Sequence, residues 1–262
     1  MVSTPCSCTR ITRIGSNTGL GFHLASQLGD KAYSIILTSR THQKAKDAAR
    51  KLTSAATKAT YAAYELDVAD PTSVARFGDQ IRRDYDRVDV LVNNAGINNN
   101  PTDSIPEETD VSLEATQKRF QLAHDAFATN CIGAEAVTYQ ILPILKKSLI
   151  FVTSGLGSLT LNTDSSHEWY GVPSSMYRSS KAAMNMTMTN WHKKLKDRNI
   201  SVYAVCPGLN ATEFGGMNPE EAKKAGAQDP QVGASIIAEV LSGKRAGKEG
   251  KFLCGEGKSR PW

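Results

Sequence analysis

Cys8 to Leu28 reads CTRITRIGSNTGLGFHLASQL: a short β-branched run, a turn with glycine at Gly15, Gly19 and Gly21, and then an amphipathic stretch. A glycine-rich turn leading from a strand into a helix lets the backbone approach a phosphate closely. The helix N-terminus supplies free N–H groups and the positive end of a dipole. The spacing is G-x-x-x-G-x-G rather than the commoner G-x-G-x-x-G, and the same turn could serve as a loop that binds nothing. A central parallel strand should be a nearly unbroken apolar run, yet Arg10 and Arg13 interrupt this one. Three readings stay open: the arginines snorkel toward the strand ends, the strand is short and weak, or the segment is a divergent beginning of the chain.

Working outward, short apolar or β-branched runs alternate with longer helical patterns. The runs are Tyr33 to Thr38, Tyr61 to Val68, Val88 to Val92, Leu149 to Thr153, Ile200 to Val205 and a weaker Lys251 to Cys254. Between them lie Leu20 to Leu28, Gln43 to Ser54, Ser73 to Asp84, Leu113 to Lys147, Ser175 to Lys196 and Pro230 to Ser242. Strands alternating with helices imply βαβ units and a parallel sheet with helices on both faces. The expected fold class is therefore α/β: a doubly wound parallel sheet in three layers, forming a single domain over residues 1–262 with no repeat or linker. Asn98 to Val111, Gly155 to Ser174 and Pro207 to Asp229 lack firm periodicity. The last two follow strands, and ligands of open parallel sheets bind beyond the strands' carboxyl ends; stretches near 155–175 and 207–229 are candidate substrate loops.

Composition narrows the class. A chain of 262 residues, 40% hydrophobic, is long enough to bury a large core. Its five cysteines are scattered, and Cys6-x-Cys8 suits neither a zinc ribbon nor a redox C-x-x-C, which points to a reduced, cytoplasmic protein. The 31 basic residues are interleaved with 26 acidic ones, so no basic tract marks a nucleic-acid partner. No run resembles a secretory signal or a membrane span. The five histidines have no metal-ligand spacing, and no metal site is expected.

Met176 to Met186, MYRSSKAAMNM, sets Tyr177 and Lys181 four residues apart. On a helix such residues share a face, so the ammonium can act on the phenol; alone, the pair is also a commonplace of solvated helices. His167, Trp169 and Tyr170 either line a substrate pocket or anchor their loop. Met184, Met188 and Trp191 form a stripe suited to core or subunit interface.

Taken in order, the glycine turn, Asn93-Asn94-Ala95-Gly96 after an apolar strand, and Tyr177-x-x-x-Lys181 resemble the single-domain, Rossmann-like short-chain dehydrogenase/reductase family. The resemblance covers nearly the whole chain, and the ending GKFLCGEGKSRPW is similar to the tails of fungal ketoreductases of secondary metabolism. It implies catalytic roles for Ser154 (in TSGLG), Tyr177, Lys181 and Asn130 (in TNCIG). It places the cofactor on Gly15, Asn17, Gly19, Leu20, Gly21, Arg40, Asp67, Val68, Asn93, Ala95, Gly96, Tyr177, Lys181, Pro207, Gly208 and Thr212. Ile14 and Thr18 depart from the family pattern, and the 23 residues from Ser154 to Tyr177 exceed its usual interval through an insertion, Leu159 to Gly171.

The implied chemistry is reduction of a ketone or aldehyde, or oxidation of the alcohol. A proton donor must stand near the carbonyl oxygen as hydride reaches carbon. Tyr177 is that donor; Lys181 supplies positive charge that lowers its pKa and bonds the nicotinamide ribose. Ser154 holds the substrate oxygen, and Asn130 orders a water-linked proton path. Ser39 stands where an NAD-dependent relative carries an acid, and Arg40 beside it can grip a 2′-phosphate. NADP(H) is the expected cofactor, although Arg40 could simply open a solvated helix with Lys44 and Lys46. The partners implied are a small-molecule carbonyl or alcohol and further copies of the chain, as a homodimer or homotetramer. A silent dinucleotide-binding sensor and a non-redox cyclase or isomerase are the alternatives.

Overall fold

The computed structural model describes residues 10–14, 18–55, 58–98, 109–216 and 218–262. Its strands are β1 (Arg10–Ile14), β2 (Ser34–Ser39), β3 (Thr60–Glu65), β4 (Val88–Asn93), β5 (Leu145–Val152), β6 (Ser201–Val205) and β7 (Phe252–Leu253). Its helices are α1 (Gly19–Gln27), α2 (His42–Thr53), α3 (Pro71–Asp84), α4 (Leu113–Phe127), α5 (Gly133–Ile141), α6 (Leu159–Thr163), α7 (Ser175–Leu195), α8 (Pro219–Lys224) and α9 (Pro230–Leu241). The strands form one sheet in the order β3-β2-β1-β4-β5-β6-β7, and every named pair is parallel. The expected doubly wound α/β fold is thus present.

Burial on both faces explains the unbroken apolar runs: every residue of β4 is buried, and β2 is buried from Ile35 onward. One face carries Phe77 of α3, Val137 of α5, and Met184, Met188 and Trp191 of α7. The opposite face carries Leu24 of α1, Leu52 of α2, and Ala234 and Ile237 of α9. The Met184–Met188–Trp191 stripe is therefore core. Local signals start the helices: Asp70 accepts from Thr72 N–H ahead of Pro71, and Asn218 forms a capping box with Glu221.

The chain departs from the sequence pattern in several places. The helix expected over Leu113 to Lys147 is three pieces: α4, a π-helical turn at Ala128–Ile132, and α5, which ends at Ile141. Pro143, which has no N–H to donate, follows that end, and β5 begins at Leu145 rather than Leu149. Lys146 and Lys147, exposed, mask that start in the sequence. The Tyr61 to Val68 run leaves the sheet after Glu65. Of the irregular stretches, 155–175 contains a 3-10 turn and α6, 207–229 contains α8, and 98–111 falls largely outside the described residues. β1 does form, bonded to β2 on one side and β4 on the other. Among the described residues no helix is long and apolar enough to cross a membrane.

The chain runs from β1 outward through β2 and β3, then crosses back to β4, so the order reverses between β1 and β4. That reversal opens a crevice at the carboxyl ends of those strands.

Entry into α7 is strained. Ser174, ahead of the helix, has φ 99° and makes no side-chain cap bond. A non-glycine residue there carries a backbone cost that glycine avoids. Ser174→Gly is expected to stabilise the fold by about 1 kcal/mol after glycine's own entropic penalty; a denaturant midpoint that rises at unchanged slope checks this.

Candidate active site

Ser154 ends the exit from β5, and its hydroxyl oxygen accepts the N–H of Leu156 at 3.2 Å. Tyr177 lies in the first turn of α7, 8% exposed, and Lys181, 3% exposed, one turn further on. The three converge. Burial pushes the Tyr177 pKa up, and the Ser154 hydroxyl beside it pulls the other way by less, so the phenol lies above its ordinary range. The Lys181 ammonium sits 5.8 Å from the centre of the Tyr177 ring and donates to the Val152 carbonyl at 2.9 Å. Burial lowers it to about 8. The i, i+4 spacing suggested that lysine would dominate the phenol; instead desolvation does.

Small residues let α7 come this close. A Cβ on Gly157 would lie 2.7 Å from the backbone of Lys181. Asn185 donates to the Gly157 carbonyl at 3.2 Å and accepts the Thr153 hydroxyl at 2.6 Å, tying the helix to the β5 exit. Sequence reasoning missed Thr153, Gly157 and Asn185, whose only signal was the pair Gly155 and Gly157 shortly after the serine.

Asn130 is fully buried in the π-helical turn. Its amide accepts the Ile97 N–H at 2.7 Å and donates to the Ile97 carbonyl at 2.9 Å, and to Ser180 Oγ at 2.9 Å. Ser180 in turn donates to the Tyr177 carbonyl at 2.7 Å. A Cβ on Gly96 would stand 3.1 Å from Asn130 Oδ1 and 3.5 Å from Lys181 Nζ, so only glycine leaves this corner open. Asn93 donates to Thr138 Oγ1 on α5 at 3.0 Å, which turns its side chain toward that helix, and Ala95 packs on the same core.

The remaining candidates line the sheet's carboxyl edge. Gly19, at φ +55°, opens α1, and Thr18 before it makes no side-chain cap bond; Leu20 and Gly21 follow in the first turn. Thr212 lies across this turn, its Cγ2 3.6 Å from where a Gly19 Cβ would be. Gly15 and Asn17 fall outside the described residues. Ser39 is buried at the end of β2, and Arg40 next to it is exposed, with no ion pair to another described residue. After β3, Asp67 accepts the Ala69 N–H at 3.0 Å and Val68 is buried. After β6, the Pro207 and Gly208 carbonyls take bonds from Gln228 and Asn210 at 2.6 and 2.9 Å. Phe214, not singled out in the sequence, meets Tyr177 edge-on with ring centres 5.8 Å apart. Trp169 is a loop anchor: a Cβ on Gly155 would collide with its indole.

A glycine-opened helix start at the switch point, a glycine-walled corner beside Lys181, and a Ser-Tyr-Lys cluster whose tyrosine and lysine are buried define a dinucleotide-dependent dehydrogenase or reductase. Residues 10–223 match the family model described as short chain dehydrogenase, and the chain belongs to that family of oxidoreductases, whose cofactor is a nicotinamide dinucleotide. It is 28% identical over 268 residues to the short-chain dehydrogenase/reductase tropE of Talaromyces stipitatus, covering 95% of this chain and 96% of that one. It is 24% identical to carbonyl reductase [NADPH] 1 of Rattus norvegicus, over 95% and 96% of the two chains. Among solved structures, the NADPH-bound carbonyl reductase from chicken fatty liver superposes with a TM-score of 0.73 at 22% identity, covering 97% of this chain and 98% of that one. The fungal resemblance read from the sequence agrees with the first of these.

Proposed function

We propose that the protein is an NADP(H)-dependent carbonyl reductase acting on a small ketone or aldehyde, reversible to the alcohol. The observation that carries this is the buried Tyr177 phenol with the Ser154 hydroxyl beside it and the Lys181 ammonium over its ring, 5.8 Å from the ring centre. A phenol with an upward-shifted pKa keeps its proton at neutral pH, the state required of a donor to a carbonyl oxygen.

The described residues fit a dinucleotide: Gly19, at φ +55°, opens α1 at the switch point with no side-chain cap from Thr18, and Gly96 leaves open a corner that a side chain would fill. Gly19, Leu20 and Gly21 would hold phosphate, Asp67 and Val68 the adenine, and Lys181 the nicotinamide ribose, with Asn93, Ala95, Gly96, Pro207, Gly208 and Thr212 along the groove. When bound, the cofactor supplies the hydride. Ser154 and Tyr177 together hold the carbonyl oxygen, and Tyr177 Oη gives it a proton as charge develops there. Lys181 stabilises the phenolate left behind. Asn130 holds Ile97 and Ser180 in place around them.

Rat and chicken relatives whose names carry NADPH support the choice of dinucleotide, as does Arg40, exposed at the end of β2. An arginine grips phosphate oxygens through charged, often bidentate bonds. Changing Ser39 to Asp and Arg40 to Leu together is expected to weaken NADPH by about 2 to 3 kcal/mol, the scale of a lost charged hydrogen bond, and to favour NADH relative to it. Fluorescence titration of both cofactors into wild-type and variant protein checks this; an unmoved preference would eliminate Arg40 as selector. Exposed Phe120, Ile132, Tyr139 and Met186 on α4, the π turn, α5 and α7 support assembly as a homodimer or homotetramer.

A further inference from the structure

The segment after β7 returns to the active-site loop. The N–H of Arg260 donates to the Phe252 carbonyl at 2.8 Å, and Trp262 stacks on Phe252 with ring centres 5.4 Å apart and 17° between planes. From that anchor the tail engages the stretch just after Ser154. The Ser158 hydroxyl donates to the Pro261 carbonyl at 2.8 Å, and Thr160 gives the Trp262 carbonyl its N–H at 2.9 Å and its hydroxyl at 2.6 Å.

Within this frame the Arg260 guanidinium lies over the Trp169 indole, 4.4 Å from its centre, a cation–π arrangement. The same indole fills the space beside Gly155 where any larger residue would collide with it. From the catalytic helix, Arg178, the neighbour of Tyr177, donates to the carbonyls of Trp169 and Val172 at 3.1 and 2.7 Å. Trp169 is thus gripped by arginines from the tail and from α7, and rests against the residue that follows Ser154. Both guanidinium groups leave a buried Nε with no partner. Such an orphaned donor carries a desolvation cost, which is offset here only by what the two groups hold in place.

We propose that Arg260 is a positioning residue for Ser154, acting through Trp169: stacked on the indole, it keeps Trp169 against Gly155 and so fixes the Ser154 hydroxyl toward Tyr177. The catalytic consequence rests on the carbonyl-reductase reading; the positioning itself does not. The chain of contacts is cation to indole, indole to Gly155, and Gly155 to the serine before it. The inserted loop and the tail are then parts of one clamp behind the catalytic hydroxyl.

Two readouts separate the claims. The first needs no substrate: amide hydrogen exchange at Leu156, whose N–H is held by Ser154 Oγ. Arg260→Met, which keeps the apolar stem and removes the guanidinium, is expected to raise that exchange rate on the order of tenfold while amides of β4 exchange as in wild type. The second is turnover on the best ketone of a panel with NADPH. Arg260→Met should lower kcat on the order of tenfold with the NADPH dissociation constant unchanged, as a small misplacement of a catalytic group does. Arg260→Lys, which restores a cation over the ring, should fall between Met and wild type in both. Trp169→Ala combined with Arg260→Met should lose no more than Trp169→Ala alone, because the arginine acts through the indole. Leu156 exchange equal to wild type in the Met variant, or additive losses in the double variant, would overturn the proposal. Raised exchange with unchanged kcat would uphold the positioning and instead count against Ser154 as a group in the reaction. Should Arg260→Met not fold, Arg260→Gln, which also removes the cation, decides: raised Leu156 exchange upholds the clamp, and a wild-type rate overturns it.

Discussion

Tyr177→Phe is expected to reduce turnover by a factor on the order of 10² or more, the usual share of general acid catalysis, while NADPH binding persists. The ring would remain in its pocket beside Phe214, where Tyr177 already packs edge-on, so the variant deletes one oxygen and one proton and little else. The serine retains the Leu156 N–H. The decisive measurement is kcat beside the NADPH dissociation constant. Near wild-type reduction of the best substrate would remove Tyr177 from the chemistry, whereas loss of cofactor binding with the ring intact would point to a collapsed pocket. The pH profile supplies a further check with a definite sign. Because burial holds the phenol above its ordinary range and Lys181 at about 8, the acid stays protonated throughout the neutral range. Reduction should therefore be level below pH 8 and fall above it, as the ammonium loses its charge.

How much of this was legible before the structure varies by element. The parallel α/β order was readable because both faces of the sheet are covered, which turns stretches such as Val88 to Val92 into plain apolar runs. The central strand was the doubtful one, since Arg10 and Arg13 break its pattern. It forms because partners on both sides satisfy its backbone, from Ile11 opposite Ile35 to Ile14 opposite Asn93, and such pairing leaves no mark in side-chain pattern. The start of β5 was lost for a related reason, because the exposed Lys146 and Lys147 directly after buried Leu145 read as a helix end. The Ser154, Tyr177 and Lys181 cluster was visible as residue types at spacings. Its electrostatics were not: the phenol and ammonium are shifted chiefly by burial, a tertiary property that no i, i+4 rule contains. Trp169 likewise could be read as pocket wall or anchor until Gly155 and Arg260 were found against it.

Lys181→Met is expected to make the protein more stable and to abolish its activity. The ammonium is buried at 3% exposure, donating to the Val152 carbonyl at 2.9 Å and to the Met184 sulfur at 3.9 Å. The ionisable groups that bear on it are the thiols of Cys206 and Cys131; no carboxylate ion pair with Lys181 exists among the described residues. Such a charge strains the fold. Lys181 falls from 10.5 to about 8 on folding, so below pH 8 it is protonated in both states and the fold bears the whole penalty, about 3 kcal/mol at 1.36 kcal/mol per pKa unit. Between pH 8 and 10.5 the unfolded chain binds more protons, so stability rises with pH across that window, and above it the penalty is gone. Methionine carries no charge and nearly fills the same space, but it leaves the Val152 carbonyl without its donor, a loss of about 1 kcal/mol. The variant should thus gain about 2 kcal/mol at pH 7 and show no rise in stability between pH 8 and 10.5. Turnover should drop on the order of 10² or more, because the cation that lies over the Tyr177 ring is removed. Denaturant melts of both proteins at pH 7 and pH 10, set beside kcat, test this together: a variant that is less stable at pH 7, or one that still turns over, would show that the lysine is retained for packing rather than for charge.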